Sequence, residues 1–258
     1  MQTVALTEYL DVAQVVLYAF WAFFALLIFY IRQEDRREGY PLEHDTTGAM
    51  GAAGFPFMPD PKTYLLPHGG TQQLPNDTRD TRPINAVRMG NSPGAPMDPT
   101  GNPMLGAVGP GSYAERADRP DLTYLGENKI VPLSASHGYK IHDRDGNPIG
   151  MPVVGCDGAV AGAIREVWVD QSEHVVRYYE VAVGIGSSAR VVLLPAGFAN
   201  VRKKVGQVDV NAITASQFMN VPATKSQTSI TLLEEDKIMG YFGGGMLYAT
   251  PARAEPFI

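Results

Sequence analysis

From Val12 to Ile31 the chain reads VAQVVLYAFWAFFALLIFYI, twenty residues without a charge. As an α-helix rising ~1.5 Å per residue, such a run reaches ~30 Å, the thickness of a bilayer's hydrocarbon core. A wholly buried core helix of twenty residues with no polar face would be unusual in a domain this small. A cleaved leader would carry basic residues before the apolar run and a small-x-small site after it, and neither is present. The run is therefore expected to be a transmembrane helix. Gln14 is its only strongly polar side chain, so the helix is read as an anchor or packing element, not as an ion or proton path.

The flanks orient it. Residues 1–11 carry Glu8 and Asp11 but no Lys or Arg, whereas Arg32, Arg36 and Arg37 follow the span. Positive residues stay on the cytoplasmic side, so residues 1–11 are expected in the periplasm and everything beyond Ile31 in the cytoplasm. Tyr9 and Tyr30 stand near the two ends, where amphipathic rings favour the headgroups. Trp21, in mid-span, is expected to pack against another helix, a lipid or a pigment. Tyr30, Arg32, Arg36, Arg37 and Tyr40 are expected at the cytoplasmic headgroup level, with anionic lipid or partner carboxylates as counter-ions.

Beyond the span the chain changes character twice. RQEDRREGY (32–40) mixes both signs and extends the helix until Gly39 and Pro41 stop it. From Pro41 to about Pro120 the sequence is dense in Pro, Gly, Asn and Asp, broken by apolar clusters such as Phe55-Pro56-Phe57-Met58 and Tyr64-Leu65-Leu66. Residues 32–129 are read as an extended segment laid over a partner and ordered by that contact. From Ile130 to the C-terminus, short β-rich runs alternate with turn signals. The runs are 159–169, 175–183, 189–194, 200–203 and 207–210, and the pattern suggests a small antiparallel barrel or sandwich. Thr231 and Glu234 have the spacing of a capping box for a short C-terminal helix ending at Gly240 or Gly243. The fold class is thus mainly β with one N-terminal transmembrane helix.

Several chemistries are set aside by the residues themselves. The 258-residue chain has net charge −6 and no basic block, which argues against nucleic acid as a partner. Its single cysteine, Cys156, cannot form an internal disulfide or a cysteine-based metal cluster, and reads as a small buried hydrophobe. Gly184-Ile-Gly-Ser-Ser-Ala189 matches a dinucleotide fingerprint, but the following Arg190-Val-Val-Leu-Leu is strand-like where a helix is required, so a hairpin turn is expected. The run from His142 to Asn147 lacks a full calcium-ligand series and reads as a turn. No metal site is expected. More suggestive are Asp170, Glu173, His174 and Arg177, which bracket a strand–turn–strand corner. Carboxylates beside an Arg can hold protonation states suited to a relay, although a solvated hairpin tip with a salt bridge would look the same.

A family resemblance covers nearly the whole chain. Arg36-Arg-Glu-Gly-Tyr-Pro-Leu-Glu43, Pro61-Lys-Thr-Tyr-Leu-Leu-Pro-His-Gly69, Pro99-Thr-Gly-Asn-Pro103, Val108-Gly-Pro110, Asn128-Lys-Ile130, Trp168-Val-Asp170, Leu233-Glu-Glu-Asp-Lys237 and Gly244-Gly-Met-Leu-Tyr-Ala249 occur in the order they take in the H subunit of the purple-bacterial photosynthetic reaction centre. The chain resembles that family. The resemblance implies a PRC-type barrel in the cytoplasmic domain. It also implies a non-enzymatic subunit of the intracytoplasmic membrane that caps the L and M subunits, shields their quinone pockets and assists proton delivery to the secondary quinone. Bacteriochlorophyll, bacteriopheophytin, quinones, carotenoid and non-haem iron would sit on L and M, and no cofactor on this chain alone. Antenna polypeptides and membrane lipids are further implied neighbours. Carried over by position, Glu173 matches the family's internal proton-relay carboxylate, and Asp170, Arg177 and Lys129 its charged neighbours. A His-x-His pair that some members carry before Asn-Lys-Ile is absent. Asp121 and Glu127 stand in that stretch instead and are expected to collect protons. The alternative from another class is a membrane-tethered PRC-barrel adaptor for some other protein.

Overall fold

The structure is a computed structural model that describes residues 11–254, apart from residues 53, 77, 143, 185, 187 and 188. The expected periplasmic stretch therefore lies outside the described residues except for Asp11, as do three positions of the Gly184–Ala189 turn and Asp143 of the 142–147 turn. The described chain forms two compact units. The first runs to Asp80 and includes Gly90–Ala95, and the second comprises Thr81–Met89 and everything from Pro96.

In the first unit, helix α1 spans Val12–Glu34. Asp11 caps it, its Oδ1 accepting the Gln14 N–H at 2.7 Å. Not one of its side chains is buried, and the helix is long and apolar enough to cross a membrane. A 3-10 turn, Asp35–Arg37, follows, and Gly39 leaves it at φ 73°. Arg37 is 8% exposed and acts as a hub. It pairs with Glu34 through Nε at 2.8 Å and Nη2 at 2.9 Å, and its Nη1 donates to the carbonyls of Asp60 (2.7 Å) and Leu74 (3.0 Å). Those carbonyls flank the hairpin of β1 (Lys62–Leu65) and β2 (Thr71–Leu74), so one guanidinium ties the helix end to the next 40 residues. The Pro/Gly-rich stretch is thus not wholly irregular. A second small hairpin, β3 (Ala86–Arg88) with β4 (Met97–Pro99), belongs to the second unit.

The second unit is built on a seven-stranded sheet of β5 (Ile130–Pro132), β6 (Pro152–Val154), β7 (Val160–Asp170), β8 (Val175–Val183), β9 (Arg190–Pro195), β10 (Ala199–Arg202) and β11 (Gln207–Val210). The order is β10-β11-β6-β7-β8-β9. β5 pairs with the C-terminal part of β7, and β6 with its N-terminal part. Pairing is antiparallel except between β11 and β6, which run parallel, and the sheet is not closed. β8 and β9 join as an antiparallel pair with Val183 opposite Arg190, so the fingerprint-like Gly184–Ala189 is a hairpin connection.

The period-2 alternation of β7 sorts its side chains onto two faces. Ile164 and Trp168 enter the main core with Leu194, Phe218, Ile238 and Phe242. Val167 and Val169 enter a smaller cluster with Val131. Cys156 is half-buried rather than buried, its N–H donating to Ile213 O. The capping box is present, Thr231 and Glu234 bonding reciprocally to open helix α2, Leu232–Tyr248. Contrary to expectation, α2 does not stop at Gly240 or Gly243. A Cβ on Gly240, Gly243 or Gly244 would stand 2.8–2.9 Å from backbone atoms of residues 110–112. These glycines let the helix lie directly on another stretch of backbone, and the intrinsic cost of glycine in a helix is offset by that contact.

Phe242 is the centre of the helix–sheet contact. It is fully buried, with ring centroids of Phe198, Phe218 and Tyr241 at 5.7, 5.9 and 6.2 Å. Phe242→Ala is expected to cost about 3–5 kcal/mol, against about 0.5 kcal/mol or less for exposed Met239→Ala on the same helix, read as urea midpoints of the detergent-solubilised protein.

Candidate functional site

The corner singled out in the sequence is held by a tight loop docked on the end of β7. Lys129 N–H donates to Asp121 O and Thr123 N–H to Glu127 O, which closes residues 121–129 into a narrow turn ahead of β5. β5 brings Ile130 opposite Asp170, and the Gln171 N–H donates to Lys129 O. The Lys129 side chain is thereby delivered to the start of the 170–175 turn. Its Nζ lies 3.2 Å from Glu173 Oε1, 3.5 Å from Asp170 Oδ2 and 3.7 Å from Asp121 Oδ2.

The three carboxylates differ in their access to water. The side chain of Glu173 is 55% exposed and that of Asp121 41%, whereas Asp170 is wholly buried. Asp170 Oδ1 accepts the N–H groups of Ser172 and Glu173, both at 2.9 Å, and so fixes the turn. Asp170 Oδ2 has no hydrogen-bond partner among the described residues, and Lys129 supplies its counter-charge. His174 completes the turn at φ 57°, a left-handed conformation uncommon outside glycine, with its ring stacked on Tyr139 and its Nδ1 2.7 Å from the Tyr139 hydroxyl. Partial burial, the largest single influence, works to lower the Lys129 pKa. The hydrogen bond to Glu173 and the charges of Asp170, Glu173 and Asp121 outweigh it, and the ammonium is held above the ordinary lysine value.

Arg177 goes elsewhere. Its Nη2 lies 3.8 Å from Glu235 Oε2 on α2, and the same oxygen accepts the Tyr178 hydroxyl at 3.0 Å. Burial, the largest influence, pushes the Glu235 carboxyl above the usual carboxylate range, against the Tyr178 hydrogen bond and the charges of Arg177 and Arg116. Asp121 adds to the upward push, so it is felt by both Lys129 and Glu235. Burial also drives the Tyr178 phenol far above its ordinary value, which keeps it a donor. Glu235 was not singled out in the sequence. Its spacing with Ile238 and Phe242, three and seven residues on along one helix face, is the signal that marks it as inward-facing. Glu127 lies exposed in the turn, joined to Thr123 through its backbone.

The first unit holds the residues expected at the headgroups. Arg32 pairs with Asp35 at 3.2 Å, both largely exposed. Arg36 donates to the carbonyls of Gly54 and Phe55 at 3.1 Å each and to that of Pro56, and its guanidinium lies over the Tyr40 ring. Lys62 bridges to Glu34 at 2.7 Å and lies 5.7 Å over the Tyr30 ring. The counter-ions seen for Arg32 and Arg37 are thus within the chain, and Arg37 is committed to the fold.

The family model for the photosynthetic reaction centre H-chain N-terminal region matches residues 4–135, just over half of the chain. The chain belongs to the reaction-centre H-chain family. A PRC-barrel domain match over residues 141–217 follows, covering most of the open sheet. As an H-chain family member it is a subunit of the photosynthetic reaction centre, a membrane-associated complex, and the family implies association with L and M subunits that hold the pigments and quinones.

Glu235 gives this unit a testable pH dependence. Its folded pKa lies above the ordinary 4.5, so between those values the native state binds the proton more tightly than the unfolded state. The contribution of Glu235 to stability therefore falls as pH rises from about 4.5 through the folded value. Glu235→Gln removes this dependence. The urea midpoint of the variant relative to the parent should climb with pH across that window, and a difference that stays flat with pH contradicts the assignment.

Proposed function

We propose that the chain caps the cytoplasmic face of the L and M subunits, shields the quinone pockets from bulk water, and passes protons toward the secondary quinone through Asp121, Asp170 and Glu173, with Lys129 as the shared counter-charge that holds them together. One observation carries the proton role: a single ammonium lies within 3.2–3.7 Å of three carboxylates, two open to solvent and one wholly buried. Proton carriage into a protein needs such a gradient from wet to dry, with exchangeable groups close enough to hand a proton on directly or through one water. Glu173 and Asp121 are the wet end and Asp170 the dry end. Glu127, exposed in the adjoining turn, widens the collecting surface. Arg177 acts at one remove, by holding Glu235 beside the same loop.

In this reading residues 1–11 face the periplasm, residues 12–31 span the bilayer, residues 32–129 lie on partner subunits, and residues 130–258 form the cytoplasmic barrel domain. The excess of Arg just past the span supports that orientation. Tyr30, Arg32, Arg36 and Tyr40 meet the headgroups, while Arg37 organises the chain behind them. Membrane lipids and antenna polypeptides are the expected neighbours of the helix.

Glu173→Gln keeps the side-chain shape and deletes the titratable group. Transfer of the second electron to the quinone is coupled to protonation, so in the assembled complex it should slow, with flash-induced proton uptake slowing alongside it. Light-driven charge separation should be unchanged. Loss will be partial where Asp121, Glu127 or water offers a bypass. Wild-type rates of both processes near neutral pH would reduce Glu173 to a solvated corner residue.

A further inference from the structure

The first unit carries an apolar surface that neither its own core nor the proton site uses. Phe55 and Phe57 are 74% and 70% exposed on the loop that follows the helix-end segment. Two large rings held in water on one short loop are unusual for a surface that stays in water. They are not isolated, because the Phe55 ring centroid lies 5.3 Å from that of Phe29 and 6.3 Å from that of Phe57. Phe29 belongs to the last turn of the apolar run, two residues before its end at Ile31, which is ~3 Å along the helix axis. The aromatic surface of the loop is thus continuous with the surface of the span.

Three consecutive carbonyls of this loop have an internal partner. The Arg36 guanidinium takes the consecutive carbonyls of Gly54, Phe55 and Pro56, and Pro56 brings no N–H of its own. Irregular backbone is expensive in a low-dielectric layer because its polar groups lose water, and internal pairing removes that cost. Around the loop stand cations and amphipathic rings suited to headgroups: Arg36 over Tyr40 and Lys62 over Tyr30.

We propose that Phe55 and Phe57 form an aromatic foot that enters the same bilayer leaflet as the end of the span, with Arg36 as the clamp that holds the loop there. Its partner is lipid: the rings reach the boundary between headgroups and acyl chains, ~5–10 Å deep, and the Arg36 clamp lies on their aqueous side. The foot gives a single-pass helix a second point of attachment and fixes its rotation and depth. The proposal rests on reading residues 12–31 as a membrane span, is independent of the proton pathway, and takes the 54–57 loop out of the stretch assigned to partner subunits.

The test uses the assembled complex in its native membranes. With Cys156→Ser as background, a nitroxide is placed at Phe57→Cys, and separately at Phe55→Cys and at Leu26→Cys within the span. Collision rates are measured with oxygen, which concentrates in lipid, and with a water-soluble nickel chelate. The foot predicts high oxygen and low nickel accessibility at positions 55 and 57, and a shift toward nickel at position 57 when Arg36→Gln is added. Nickel access at 55 and 57 in the otherwise unaltered clamp means an aqueous loop and overturns the proposal. Shielding from both reagents means that another subunit covers the rings and overturns it equally. Nickel access at Leu26 would instead sink the reading of the span itself.

Discussion

Asp170 is a carboxyl group with no exposed surface, and three segments of the second unit meet around it. A buried charge without a partner costs several kcal/mol. The 121–129 turn, the short strand β5 and the 170–175 turn together bring Lys129 to Asp170 while satisfying the backbone around it. The pairing is imperfect as a stabilising device, because one oxygen of Asp170 lacks a hydrogen bond among the described residues and the ammonium is divided among three acids. A purely structural ion pair would gain from an exclusive, bidentate partner. Sharing one ammonium among carboxylates of graded exposure suits a group that exchanges protons better than one that only holds a fold.

The first unit follows a parallel logic with Arg37. There the buried guanidinium is met by a bidentate carboxylate and two carbonyls, which is the geometry of a fixed structural joint. It sits immediately past a helix that buries nothing against its own unit. Arg37 is thus fully satisfied, whereas Asp170 Oδ2 is left without a hydrogen bond among the described residues.

Much of this was legible in the sequence. Twenty uncharged residues marked the apolar helix, and the β-rich runs Val175–Val183 and Gln207–Val210 coincide with strands to the residue because their β-forming side chains stand between turns. The three-residue strands β5 and β6 were not read, since a run that short shows no period, and the parallel pairing of β6 with β11 has no local signature. The end of α2 was misjudged because Gly240 and Gly243 look like stops in one dimension, and only the backbone of residues 110–112 explains them. At the site, Asp170 and Glu173 could be grouped from proximity along the chain. Lys129 entered through family resemblance alone, as its meeting with them depends on a strand pairing 40 residues apart. Arg177 was grouped with them by sequence spacing, but from β8 its guanidinium reaches Glu235 on α2 instead.

On the proposed function, the shared ammonium of Lys129 organises a working proton path. The rate of the second electron transfer to the secondary quinone in Lys129→Met and Lys129→Arg complexes tests it most directly. Methionine keeps the stem and removes the charge, and arginine restores the charge. Transfer should slow in Lys129→Met and recover substantially in Lys129→Arg, with charge separation unaltered in both. Wild-type transfer in a fully assembled Lys129→Met complex would contradict it.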